Sequence, residues 1–137
     1  MSDAPDSASA ARLERDRTRL AALGALLGGL GVVLGAFGAH ALRARISPEL
    51  LEVYRTGVFY QLVHALALLS LAGLCDRLRR PRLIVTLFGA GVLIFSGSLY
   101  ALAITGTRAW GAVTPFGGAC LIAGWGVVLC SLLFRRA

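Results

Sequence analysis

Charged residues are missing from most of this sequence. Lysine is absent, and seven acidic residues stand against fourteen arginines, so the 137-residue chain carries a net charge of +7. Four stretches have no charged residue at all, and they span residues 20–42, 56–75, 83–107 and 109–134. Hydrophobic residues make up 57% of the chain, which is more apolar surface than a soluble domain of this length can bury. The composition therefore excludes a soluble globular protein.

Each uncharged stretch is long enough to cross a membrane as a helix. A helix needs about 20 residues to span a hydrocarbon core of roughly 30 Å, because it rises 1.5 Å per residue. We therefore predict an all-α fold, a four-helix transmembrane bundle with membrane segments at about 20–42, 56–75, 83–105 and 115–134. Residues 1–19 form an Arg-rich tail that we expect to be flexible at its start and helical towards the first segment.

The arginines are distributed unevenly between the two ends of the predicted helices. In an up-down bundle ten of them share one side: Arg12, Arg15, Arg17, Arg19, Arg77, Arg79, Arg80, Arg82, Arg135 and Arg136. The opposite side has only Arg43, Arg45, Arg55 and Arg108. Because positive residues are retained on the cytoplasmic side, both termini are predicted to be cytoplasmic. The basic charge then faces anionic lipid headgroups, and we expect no nucleic-acid partner.

The first apolar stretch also has features of a secretory signal. Arginines precede it, and "AHA" at residues 39–41 is similar to a small-residue cleavage site. However, the stretch is longer than the usual signal core of about 7–15 residues. We expect the first helix to be retained.

Groups that would support catalysis or metal binding are missing from the membrane segments. Their central parts hold no Asp, Glu or Arg, whereas a proton-coupled exporter usually needs a membrane carboxylate. The three cysteines, at 75, 120 and 130, have no metal-ligand spacing. His40 and His64 are predicted to differ in depth by roughly 10 Å, which disfavours a shared haem or zinc ion. We expect no enzyme, catalytic residue, cofactor or metal.

Glycines form a stripe along the first helix. Gly24, Gly28, Gly31, Gly35 and Gly38 follow one another in steps of four and three, which places them on one helical face. In lipid such a stripe lets a second backbone approach closely. We expect that neighbour to be another helix of the same chain, with a second subunit as the alternative.

Uncommon polar side chains occur in all four membrane segments. In the predicted topology they lie towards the non-cytoplasmic end: His40, Tyr60, Gln61, His64, Ser96, Ser98, Tyr100 and Thr114. An unpaired amide or imidazole facing hydrocarbon costs several kcal/mol. We therefore predict one buried polar cluster centred on His64. The cluster is either a set of interhelical hydrogen bonds or a ligand or proton site; the sequence leaves both interpretations open.

Four ordered motifs resemble a known family. These are "GAFGAHAL" (35–42), "YRTGVFYQLVHALALL" (54–69), "FSGSLYAL" (95–102) and "TPFGG" (114–118). They are similar to domain-of-unknown-function family 423, the YgdD-like small inner-membrane proteins. The resemblance covers about residues 20–134 and implies a four-helix integral protein of the cytoplasmic membrane. It supplies no activity and no catalytic residues.

Two functions remain after these exclusions. The first is a non-enzymatic scaffold, accessory subunit, or binder of lipid or another small molecule. The second is an oligomeric transporter or channel that uses a polar path centred on His64. Membrane lipids are the expected partners for both functions. Both functions are also compatible with a homo-oligomer or a larger membrane complex.

Overall fold

The computed structural model describes residues 6–134, and within that range the regular structure is entirely helical. The range contains four helices that are long and apolar enough to cross a membrane. Arg135 and Arg136, which contribute to the predicted charge asymmetry, and the first five residues of the tail lie outside it.

The four long helices follow one another with short connections. Helix α1 covers Ser7–Phe37 and continues as a π-helical turn over Gly38–Leu42. Helix α2 covers Pro48–Gly73, α3 covers Pro81–Thr105 and α4 covers Thr114–Leu133. Single 3₁₀ turns at Cys75–Arg77 and Arg108–Ala112 precede α3 and α4.

Local sequence signals account for several helix ends. The Ser47 side chain accepts a hydrogen bond from the Leu50 amide at 3.3 Å, and Pro48 occupies the first turn of α2. Ser and Pro favour these two positions at the start of a helix. Gly106 ends α3 with φ of 67°, a left-handed conformation that glycine adopts without steric cost.

Consecutive helices pack against each other in opposite directions. Residues late in one helix contact residues early in the next helix. On α1 and α2, Gly38 lies against Tyr54 while Gly24 lies against Ala65. The buried apolar residues form two clusters. The larger cluster surrounds Phe88, and the smaller one lies near the π-helical turn. Large side chains such as Ile122, which is 74% exposed, cover the outer surface that lipid would contact.

The glycine stripe of α1 faces α2 of the same chain. A Cβ atom added to Gly24 would lie 2.9 Å from the Ala65 carbonyl oxygen, and one added to Gly38 would lie 2.7 Å from the Tyr54 ring. At Gly31 the obstacle would be the Leu62 side chain, at 2.6 Å. Gly28 and Gly35 have only ordinary contacts with α2. These separations show that α1 and α2 approach each other too closely for larger residues at three of the five positions.

Helices α3 and α4 approach still more closely. A Cβ atom on Gly117 would lie 2.7 Å from the Phe95 Cα atom, so the obstacle is main chain and not a movable side chain. A Cβ atom on Gly124 would meet the Phe88 ring at 2.5 Å. By contrast, Gly126 on the same helix has open space around it.

A buried carboxylate joins α1 to α3 beyond the apolar core. Asp16 Oδ1 accepts a hydrogen bond from Arg82 Nε at 2.9 Å and another from Arg19 Nη1 at 3.2 Å. The Asp16 side chain is only 8% exposed. The contact with Arg19 is local, three residues further along α1. The contact with Arg82, 66 residues away, brings the start of α1 against the start of α3.

We expect Gly117→Ala to destabilise the fold by about 1–3 kcal/mol, because the new methyl group would overlap the Phe95 main chain. Gly126→Ala is the matched control on the same helix. It should change stability by less than about 0.5 kcal/mol, since nothing lies near its Cβ position. Reversible unfolding of the purified protein in mixed detergent micelles measures both values. Equal effects of the two substitutions would contradict the close α3–α4 contact.

Replacing Asp16 by Asn should lower stability by about 1 kcal/mol and speed trypsin cleavage within residues 12–19, because two guanidinium groups lose their carboxylate. The control is Glu14→Gln, which breaks the exposed ion pair with Arg17 and should have an effect of at most about 0.5 kcal/mol. Thermal unfolding and timed digestion give the two measurements. If both variants behave alike, Asp16 does not fasten α1 to α3.

Candidate functional site

Buried polar side chains of α2 line up on the face that packs against the other helices. Tyr54, Gln61 and His64 are separated by seven and three residues, so they share this face with Gly57 and Leu68. In hydrocarbon each polar group needs a partner within the protein. The helices on either side of α2 provide these partners.

Gln61 connects three helices. Its Nε2 atom donates to the Leu27 carbonyl oxygen of α1 at 2.9 Å, and its Oε1 atom accepts from the Tyr100 hydroxyl of α3 at 2.9 Å. The side chain is 4% exposed. Gly31 lies beside the amide, since a Cβ atom there would be in ordinary contact with Nε2 at 3.5 Å. Both ends of the Gln61 amide are thus used to hold α1, α2 and α3 together.

Tyr54 adds a second bond between α2 and α1. Its hydroxyl donates to the Leu34 carbonyl oxygen at 2.9 Å, and its ring packs on Tyr100 with a centroid distance of 4.9 Å. The aromatic pair and the Gln61 bonds therefore form one continuous group across α1, α2 and α3. The predicted polar cluster does not include Tyr54, although this residue lies seven residues before Gln61 on the same helical face.

His64 has partners at both ring nitrogens. Nδ1 lies 2.8 Å from the Tyr60 carbonyl oxygen, and the indole Nε1 of Trp125 donates to Nε2 at 3.2 Å. A carbonyl oxygen only accepts and an indole N–H only donates, so Nδ1 carries the proton and Nε2 carries the lone pair. The ring is 3% exposed and lies edge-on to Phe88 at 5.1 Å. This geometry requires a neutral imidazole with no free nitrogen.

The two serines of α3 differ in their contacts. Ser98 Oγ lies 2.9 Å from the Phe95 carbonyl oxygen and 2.8 Å from the Thr114 hydroxyl of α4. A consistent assignment has Ser98 donating to Phe95 and accepting from Thr114. Ser96 is almost completely buried, and its hydroxyl has no hydrogen-bond partner among residues 6–134.

The eight residues of the predicted cluster therefore do not form one network. Gln61 pairs with Tyr100, His64 with Trp125, and Ser98 with Thr114, while Ser96 stands apart. His40 is exposed on the π-helical turn. Tyr60 is 39% exposed; it offers His64 its main-chain carbonyl, and its ring packs on Phe95 at 4.6 Å.

The groups also lie at different levels along the helices. His64 is nine residues before the end of α2, roughly 14 Å from the connection to α3. Ser98 and Thr114 lie close to the opposite end, where α3 meets α4. The expectation that all these groups gather at one end does not describe this arrangement. His64 lies level with Trp125 in the middle of α4, and the predicted cluster does not include Trp125.

Comparison with known proteins identifies similar membrane proteins. A family model described as "Protein of unknown function (DUF423)" matches residues 34–118. The UPF0382 membrane protein YwdK of Bacillus subtilis is 45% identical over 106 residues, which cover 75% of this chain and 86% of YwdK. The UPF0382 inner membrane protein YgdD of Escherichia coli is 39% identical over 111 residues, which cover 77% of this chain and 82% of YgdD. No solved structure gives a significant match.

The Gln61–Tyr100 bond can be measured with a double-mutant cycle. Tyr100→Phe, Gln61→Leu and the double variant should give a coupling energy of about 0.6–1.7 kcal/mol, the range for hydrogen bonds between membrane helices. Unfolding in mixed micelles supplies the four free energies. The control cycle pairs Gln61→Leu with Tyr60→Phe, whose hydroxyl is not bonded to Gln61. A coupling near zero in the first cycle, or an equal one in the second, would refute the bond.

Proposed function

This chain belongs to the DUF423 family of membrane proteins, and from that premise we propose that it is a non-enzymatic, multi-pass component of the inner membrane. It acts as a small scaffold or accessory subunit that binds membrane lipid. Its buried polar side chains hold the helices together. They do not perform chemistry or conduct a substrate.

The engagement of His64 at both nitrogens carries this proposal. A proton carrier or a metal ligand needs a ring nitrogen that can exchange its partner. Here one nitrogen is bonded to main chain and the other to an indole, and the ring is enclosed by Phe88 and Trp125. Gln61 likewise uses its amide nitrogen and its amide oxygen within the protein. These contacts support the structural role among the two that the sequence leaves open.

We further propose an up-down topology in the membrane with both termini in the cytoplasm. Two observations support it. Contacts between consecutive helices pair their residues in reverse order. The start of α1 lies next to the connection between α2 and α3 and the first turn of α3, and these segments together hold eight arginines. Positive residues on short connections favour the cytoplasmic side. Association with itself or with a larger membrane complex is an additional part of the proposal.

Flux measurements separate a structural role from transport. In proteoliposomes we expect the wild-type protein and the His64→Ala and Trp125→Phe variants to give no proton or cation flux above empty vesicles. Both variants should melt at lower temperature. Trp125→Phe leaves Nε2 of the buried His64 unpaired, at a cost of about 1–3 kcal/mol, and His64→Ala removes a buried ring that packs on Phe88. His40→Ala is the matched control, since this histidine is exposed, and its melting temperature should not change.

Transport through the His64 region would give a different result. Flux through the wild-type protein that His64→Ala abolishes, while circular dichroism shows an intact helical fold, would establish the transporter alternative. It would also reject the structural role of His64.

A further inference from the structure

We propose that the groove between the α2–α3 connection and α4 binds one anionic phospholipid. Its phosphate would contact Arg79 and Arg80, and one acyl chain would lie along α4. This inference specifies the lipid-binding part of the proposed function and rests on it for its biological meaning.

The groove has a volume of about 370 Å³. Arg79 and Arg80 stand at one end, and small or apolar residues of α4 form the rest: Ala123, Gly126, Val127, Cys130 and Ser131. The α4 residues follow helical spacing, so they form a continuous strip about 12 Å long. Because Gly126 has no side chain and no neighbour near its Cβ position, the strip is indented there. A flexible hydrocarbon chain can fill such an indentation.

The charge at the end of the groove matches a phosphate. Among residues 6–134, the ion pairs use Arg17, Arg19, Arg55 and Arg82, and neither Arg79 nor Arg80 takes part in one. Both side chains are exposed. Arginine is well suited to phosphate, because its planar guanidinium group can donate two parallel hydrogen bonds. The α3 helix begins directly after Arg80, so its dipole adds positive potential at the same place.

Contacts within the protein hold the basic end against the apolar strip. The Arg79 amide donates to Ser131 Oγ at 3.3 Å, and its guanidinium donates to the Phe134 carbonyl oxygen at 3.4 Å. The Arg79 main chain is thereby fixed beside α4, at the level where the apolar part of that helix ends. A phospholipid has the same order of groups along the membrane normal, with phosphate at the interface and acyl chain below it. The match in both charge and order favours a lipid over a soluble anion.

Native mass spectrometry of the full-length protein tests this proposal directly. The probes are dioleoyl phosphatidylglycerol and dioleoyl phosphatidylcholine, which differ in net charge and share their acyl chains. We expect phosphatidylglycerol to be retained about tenfold more strongly, as a single adduct per chain. Arg80→Ala should weaken its retention about fivefold, which corresponds to the attraction of one basic residue near an anionic membrane. Arg43→Ala, at the opposite end of the helices, is the charge control and should leave retention unchanged.

A second pair of variants tests the acyl-chain part of the groove without changing charge. Gly126→Phe should fill the groove and reduce phosphatidylglycerol retention at least fivefold. Ile122→Phe adds an aromatic ring to an exposed position of the same helix outside the groove and should have no effect. Circular dichroism and the melting temperature show whether each variant retains the fold. If Gly126→Phe does not fold, Gly126→Leu takes its place with the same expected direction.

Several results would overturn the proposal. Equal retention of the two lipids would contradict the proposed contact between the phosphate and the arginines. Unchanged retention in Gly126→Phe would contradict the proposed contact between the acyl chain and α4. Displacement of phosphatidylglycerol by millimolar inorganic phosphate would indicate a site for a free anion. A dimer that Gly126→Phe abolishes would show that a second copy occupies the groove. None of these readouts depends on flux, so the inference and the proposed structural role of His64 fail or succeed separately.

Discussion

The absence of water from the interior of a membrane is the constraint on which this structure depends. A buried amide, imidazole or hydroxyl there has only the protein as a hydrogen-bonding partner. Helix α2 carries three of these groups, and each of them is bonded across to another helix. Gln61 reaches both α1 and α3, Tyr54 reaches α1, and His64 reaches α4. Through these bonds α2 is joined to all three of the other long helices.

Glycine supplies the second means by which the helices are held together. In lipid there is little hydrophobic gain when two apolar helices meet, so close packing must provide the attraction. Gly24 and Gly117 bring main chain to within contact of main chain on two different helix pairs. The close approach also determines which hydrogen bonds can form. Gly124 brings α4 against the Phe88 ring that lies against His64, next to the bond from Trp125. Polar contacts and glycine contacts are therefore two parts of one packing arrangement.

The sequence predicts the parts of this fold that depend on local pattern. Four uncharged stretches correspond to four membrane-length helices, and Ser47 with Pro48 marks the start of α2. It does not predict contacts that depend on which surfaces meet. The bond from Trp125 to His64 crosses between α2 and α4, and the acceptor for Gln61 is a main-chain carbonyl that no sequence pattern marks. In the sequence Asp16 lies among Arg15, Arg17 and Arg19, where pairing on a solvated helical surface is expected. Its burial results from Arg82, which only the folded chain brings near.

Helix α1 and its π-helical turn form one uninterrupted element of 36 residues, Ser7–Leu42. At 1.5 Å per residue this rod is about 54 Å long, against a hydrocarbon layer of roughly 30 Å. Its first turns must therefore stand in the aqueous phase while remaining rigidly continuous with the part in lipid. A thinner bilayer favours a larger tilt of such a helix, and the tilt would swing the projecting end sideways. That end is fastened to α3 through Asp16 and packs on the core through Leu13, so a change of bilayer thickness would place strain on these contacts.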